Sequence, residues 1–153
     1  MIWNKEKACS VTGHRIMSGD IEEKTVYDAL YKLAESGINA FLVGMAIGFD
    51  TLCFHVLEKI RKVKDIKIIA CVPCVSQAEK FSFKDKKEYG RMLSVADEVI
   101  YVSREYTPYC MIKRNMYMVD NSSVLVAYKR RESGGSANTV NYAVKSGVKV
   151  IEL

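Results

Sequence analysis

The chain has 153 residues, 49% of them apolar and 27% charged, with a net charge of +5. Those values are the ones of an ordinary soluble globular protein, long enough to bury a real core as one domain. No apolar run reaches the length of a bilayer span, and the opening Met1-Ile2-Trp3-Asn4-Lys5-Glu6-Lys7 lacks the apolar centre of a signal peptide, so a cytoplasmic protein with no membrane partner is expected.

The first strand reads as Lys7–Thr12, an apolar run closed by Gly13. A helix follows from near Asp20, where Asp20 and Glu23 resemble a capping pair. Val26, Ala29, Leu30, Leu33 and Ala34 then recur at helical spacing until Gly37. Ala40–Val43 is a second strand, closed by Gly44, and the next helix carries Leu52, Cys53, Val56, Leu57 and Ile60 on one side. Ile66–Val72 is a third strand, ended by Pro73. The polar and aromatic stretch from Gln77 to Ala96 reads as a loop and then a helix over Lys86–Val95. Glu98–Val102 is a fourth strand, a helix spans Met111–Val119, and Val124–Ala127 is a fifth strand. A last helix, Thr139–Lys145, leads to a terminal strand at Val148–Ile151. Strands too apolar to have a wet face, alternating with helices, predict an α/β fold: a mainly parallel, Rossmann-like sheet covered on both sides.

In such sheets ligands bind beyond the carboxyl ends of the strands. The first strand runs into Thr12-Gly13-His14-Arg15, and the second into Gly44-Met45-Ala46-Ile47-Gly48-Phe49-Asp50. The third runs into Cys71-Val72-Pro73-Cys74, and the fifth into Glu132-Ser133-Gly134-Gly135-Ser136-Ala137-Asn138-Thr139. Glycines let a backbone approach a ligand closely, and the free N–H groups of a helix start attract anions. Together these turns describe one cleft for phosphates or ribose hydroxyls. Asp50 is either the N-cap of its helix or a hydroxyl acceptor, and Arg15 is well placed for an anion. His14 is a candidate ligand contact, whereas His55, within a helix, reads as structural. Arg114 and Asn115 either lie on a surface helix or turn inward, and the sequence alone does not favour the inward choice.

Five cysteines, four of them in or beside apolar runs, suit reduced buried thiols. Cys71 and Cys74 lack a second ligand pair for zinc and the exposed helix-start setting of a redox dithiol, so both read as pocket wall, and no metal or cofactor is expected. The clusters Lys84, Lys86, Lys87 and Lys129, Arg130, Arg131 suit a solvated basic face first and phosphate-bearing small molecules second. A nucleic-acid track ranks third, with Phe81, Phe83 and Tyr89 as its stacking surface.

Four motifs standing in order carry a resemblance. Thr12-Gly13-His14-Arg15, Gly44-Met45-Ala46-x-Gly48-x-Asp50, Arg114-Asn115-x-x-Met118-Val119-Asp120 and Gly134-Gly135-Ser136-x-x-Thr139-Val140-x-Tyr142-Ala143 resemble the YpsA-like branch of the SLOG superfamily. That Rossmann-like group includes the DNA-processing protein DprA and the cytokinin-activating LOG enzymes. The resemblance implies a nucleotide-type ligand at the glycine turns, self-association into dimers or larger assemblies, and a place in bacterial or phage nucleotide signalling. It also implies a departure. The LOG enzymes carry Pro-Gly-Gly-x-Gly-Thr-x-x-Glu, with a catalytic glutamate. Here Ser133 stands for the proline and Asn141 for the glutamate, and an amide cannot take up a proton as a carboxylate does. The expectation is therefore a binder of a nucleotide or nucleotide-derived signal. A nucleotide N-glycosidase using Asp50, Glu79 or Asp120 is the alternative, and a single-stranded nucleic-acid binder the weaker one.

Overall fold

The structure, a computed structural model, describes residues 2–153. Six strands, β1 (Ala8–Gly13), β2 (Ala40–Val43), β3 (Lys67–Val72), β4 (Glu98–Tyr101), β5 (Val124–Tyr128) and β6 (Lys149–Glu152), form one sheet in the order β4-β3-β2-β1-β5-β6. Every neighbouring pair is parallel. Each residue of β2 and β5 is buried, as strands covered on both faces must be.

Five helices supply that cover: α1 (Glu23–Glu35), α2 (Phe49–Arg61), α3 (Phe83–Val95), α4 (Cys110–Asp120) and α5 (Gly135–Lys145). One face of the sheet, carrying Val11, Phe41, Val43, Ile68 and Val126, packs with Val26 and Leu30 of α1, Phe54 and Leu57 of α2, and Tyr89 and Met92 of α3. On the opposite face, α4 lies over β1 and β3 while α5 lies over β5 and β6. Leu125, Ala127, Val140 and Ala143 make its second small core.

A polar latch holds α4. Ser10, fully buried in the middle of β1, donates its hydroxyl to the Met118 carbonyl at 2.8 Å and meets the Ser122 hydroxyl at 2.8 Å. The Trp3 indole N–H donates to the Asn121 carbonyl at 3.0 Å. A buried hydroxyl must find such partners, and here they fix the end of the helix to the centre of the sheet.

Three helix starts differ from the sequence reading. α3 begins at Phe83 rather than Lys86, because the Ser82 hydroxyl accepts from the Asp85 N–H at 3.1 Å and caps the helix earlier. α5 begins at Gly135 rather than Thr139, directly from Gly134 at φ 100°. α1 begins at Glu23 after Glu22 with no side-chain cap, so Asp20 and Glu23 are not a capping pair. The Asp20 carboxylate turns instead to Arg130, Tyr128 and Ser18.

Candidate functional site

The strand order reverses between β1 and β5, and a cleft of about 590 Å³ opens beyond their carboxyl ends. Thr12, Gly13, His14 and Arg15 leave β1 along one side, and Gly135 and Ser136 of α5 border another. This is the place an open parallel sheet offers for a ligand.

The floor is built around Gly44, at the end of β2. Its carbonyl accepts from Nη1 of Arg114 on α4 and from the Gln77 amide at 3.1 Å. Arg114 is 5% exposed, and its Nε–H donates to Asn115 Oδ1 at 2.8 Å. The Arg114 Nη2 has no hydrogen-bond partner among the described residues. A Cβ at position 44 would lie 2.9 Å from the guanidinium carbon and 3.0 Å from Asp50 Oδ2, so glycine there makes room for both charges. Asp50, in the first turn of α2, accepts from the Ala46 N–H at 3.1 Å. Burial pushes its carboxyl up to about 6, against the smaller opposing pulls of Arg114, the Ala46 N–H and Arg15. Burial likewise holds the Arg114 guanidinium below its ordinary value, with Asp50 countering.

The rim is a second network. Arg130, two residues past β5, donates through Nε to Asp20 at 2.6 Å and lies 4.3 Å from the centre of the Tyr128 ring. The Tyr128 hydroxyl donates to the same carboxylate at 2.5 Å. The Arg130 N–H donates to Nε2 of His14 at 2.8 Å, which leaves the proton of the neutral imidazole on Nδ1. Partial burial, then Arg131 and Arg130, push His14 below its usual value, in keeping with Nε2 acting as an acceptor. Four arginines (Arg15, Arg114, Arg130 and Arg131) line the cleft, with Asp50 the one carboxylate in its lining and Asp20 pairing Arg130 at the rim. The N–H groups of Gly135, Ser136 and Ala137 have no partner among the described residues, as expected for a helix start without a side-chain cap. The arrangement offers positive charge and hydrogen-bond donors to an anion.

Of the residues singled out from sequence, Thr12, Gly13, His14, Arg15, Gly44, Ala46, Asp50, Arg114, Asn115, Gly135 and Ser136 line this cleft. The others do not line it. Met45 is buried behind the β2–α2 turn with φ 65°, a backbone conformation costly for its side chain. Gly48, at φ 85°, serves close packing: a Cβ there would run into the carbonyls of Arg15 and His14. Pro73 is buried, and Thr139 donates to the Gly135 carbonyl at 2.8 Å inside α5. Ser133 and Gly134, just before α5, do not line the cleft either. Cys71 and Cys74 are buried and also line no part of the cleft, so they are not its wall. Asp50 is not an N-cap, since Gly48 holds that position.

Arg114 turns inward, and the surface-helix reading fails. The signal was available, because Arg114 stands four residues from both Cys110 and Met118, the buried face of α4. Gln77, Met111, Tyr128, Arg130, Arg131, Ile16 and Ser18 also line the cleft and were not anticipated as site residues. Arg130 and Arg131 follow β5 much as Arg15 follows β1, a parallel that the reading of a solvated basic face passed over. The stacking surface is corrected too. Tyr89 is buried with its hydroxyl donating to Gln77 Oε1 at 3.1 Å, Phe81 packs edge-on against it, and only Phe83 of the three is open to solvent.

A parallel six-stranded sheet with a ligand-sized cleft at its switch point defines a Rossmann-like domain of the kind found in DNA processing protein A (DprA). The Streptococcus pneumoniae DprA structure superposes with a TM-score of 0.71 at 17% identity, over 97% of this chain and 50% of that one. The Helicobacter pylori DprA, described by its single-stranded DNA binding mode, gives 0.67 at 14% identity over 97% and 65%. This chain thus spans half to two thirds of those proteins, and at such identities they share its fold. Residues 19–149 match the YspA SLOG family, and the chain belongs to it. The uncharacterized SPbeta prophage-derived protein YoqJ of Bacillus subtilis (strain 168) is 37% identical over 121 residues, covering 69% of this chain and 70% of that protein. No helix among the described residues is long and apolar enough to cross a membrane.

Proposed function

We propose that this protein binds a nucleotide or nucleotide-derived small molecule in the cleft between β1 and β5, as a sensor or a sequestering protein. The observation that carries the reading is the convergence of Arg15, Arg114, Arg130 and Arg131 with the unpaired N–H groups opening α5. The arginines and N–H groups suit phosphate oxygens, and Asp50 suits a ribose hydroxyl. Calorimetric titration with nucleoside monophosphates and NAD-type compounds tests it, alongside native mass spectrometry of the purified protein. Saturable binding that Arg15→Ala weakens tenfold or more, with the ligand recovered intact, supports the reading. Equal affinity in wild type and Arg15→Ala refutes this site.

One observation favours a hydrolytic alternative. Of Asp50, Glu79 and Asp120, Asp50 alone lines the cleft, while Asp120 accepts from the Tyr142 hydroxyl on the outside of α4. A carboxyl with its affinity for protons raised to about 6 suits general acid–base work on an N-glycosidic bond. Free base released over many turnovers, and lost in Asp50→Asn, would make the protein an enzyme. Single-stranded DNA, the ligand of the Helicobacter protein, is a further reading with a different signature: affinity falling steeply as salt rises.

A further inference from the structure

A second, apolar groove of about 250 Å³ runs between α4 and α5 and shares Asn115 and Gly135 with the arginine-lined cleft, so these two residues stand at the boundary of both hollows. Ile112 and Met116, one turn apart on α4, form one wall and are 51% and 38% exposed. Tyr142 of α5 faces the groove, held by its hydroxyl bond of 2.7 Å to Asp120. At the junction, the Asn115 side-chain oxygen is occupied by the Arg114 Nε–H, and its amide nitrogen has no partner among the described residues. The groove thus offers apolar walls, an aromatic ring and, at its inner end, an oriented N–H donor.

We propose that this groove is the nucleobase subsite of the same ligand: the phosphate and ribose sit among the arginines, and a planar heterocycle passes Gly135 to lie against Ile112, Met116 and Tyr142. Gly135 suits the crossing point, since no atom lies within 4 Å of the place its Cβ would take. The Asn115 N–H would donate to a ring nitrogen or carbonyl of the base, and Asn138 stands at the outer end. Sequence-tolerant packing of a flat ring on apolar and aromatic side chains is how proteins hold bases when few polar groups are present. The proposal rests on the reading of the cleft as a nucleotide site, and the two can fail separately.

The test is calorimetric titration of the protein with ribose 5-phosphate and with AMP, GMP, CMP and UMP, repeated on Ile112→Ser and Met116→Asp. Both positions are solvent-exposed, so the fold should survive, and circular dichroism checks it. At least one monophosphate is expected to bind tenfold or more tighter than ribose 5-phosphate. Met116→Asp should erase that advantage while leaving ribose 5-phosphate unchanged. The subsite is overturned if ribose 5-phosphate binds but no monophosphate binds more tightly, or if the advantage persists in both variants. Absence of binding by every probe, ribose 5-phosphate included, overturns the cleft reading and the subsite with it. A dimer by sedimentation that Met116→Asp dissociates would assign the groove to a second copy of the chain and also overturn the proposal.

Discussion

The guanidinium of Arg114 rests against the backbone of Gly44, donating to its carbonyl, and no side chain fits between them. The contact joins the middle of α4 to the end of β2 and sets where positive charge enters the cleft. Gly44→Ala should therefore displace Arg114 and Asp50 together. A loss of about 1–3 kcal/mol in denaturant unfolding is expected from the overpacking, with at least a tenfold weaker nucleotide affinity. Gly90→Ala, in the interior of α3 and away from the cleft, is the control. With open space at its Cβ position, it should be neutral or stabilising by up to about 1 kcal/mol. A Gly44→Ala protein as stable and as tight-binding as wild type would remove Arg114 from the site.

Asp50 gives a pH dependence of unusual sign. Its folded value of about 6 lies above the ordinary 3.8, so the folded state holds the proton more tightly than the unfolded chain does. Well below pH 3.8 both states are protonated, and ionisation costs the fold nothing. As pH rises from 3.8 to about 6 the unfolded chain gives up its proton while the folded state still holds it, so stability falls by about 3 kcal/mol and then levels off. Asp50→Asn keeps an acceptor for the Ala46 N–H and removes the ionisation. Its stability should match wild type near pH 4 and exceed it by about 2–3 kcal/mol above pH 7, measured by urea unfolding across that range. A constant difference at all pH values would contradict the burial argument.

The rim makes a spectroscopic prediction. The Arg130 guanidinium, then the hydroxyls of Tyr128 and Ser18, hold the Asp20 carboxyl well below the usual carboxylate range. Arg130→Ala should raise its titration midpoint towards ordinary values in a carboxyl carbon NMR titration. Because the pair is exposed, unfolding stability should change little. An unmoved midpoint would show that Arg130 does not hold this loop.

The cysteines should be silent. All five are free and buried, and burial pushes the thiols of Cys9 and Cys71 up to about 12. Since the thiolate is the reactive form, a disulfide reagent should modify almost none of them in the native protein and all five in guanidinium. Rapid native reaction at Cys71 or Cys74 would reopen the question of a redox pair.

Much of the fold was legible because burial on both faces leaves a plain mark: β2 and β5 are unbroken apolar runs, and β3 is one after Lys67. What escaped is what depends on distant partners. Asp20 reads as a helix cap until Arg130, 110 residues away, is placed beside it. Gln77 looks like loop until it is found donating to Gly44. The glycines misled in an instructive way, since Gly44 and Gly48 are small to let protein pass close to protein, not only to admit a ligand. Arg114 could have been found from its spacing alone.

The serine pair under α4 has a consequence for how such a pocket can change over evolutionary time. Because Ser10 and Ser122 tie the end of that helix to the middle of β1, the deep charge contributed by Arg114 cannot drift without breaking these buried hydrogen bonds. Arg15, Arg130 and Ile16, by contrast, hang on surface loops, where substitution costs little structure. Exchange of the outer side chains would therefore change the mouth of the cleft while leaving the anchored cation in place.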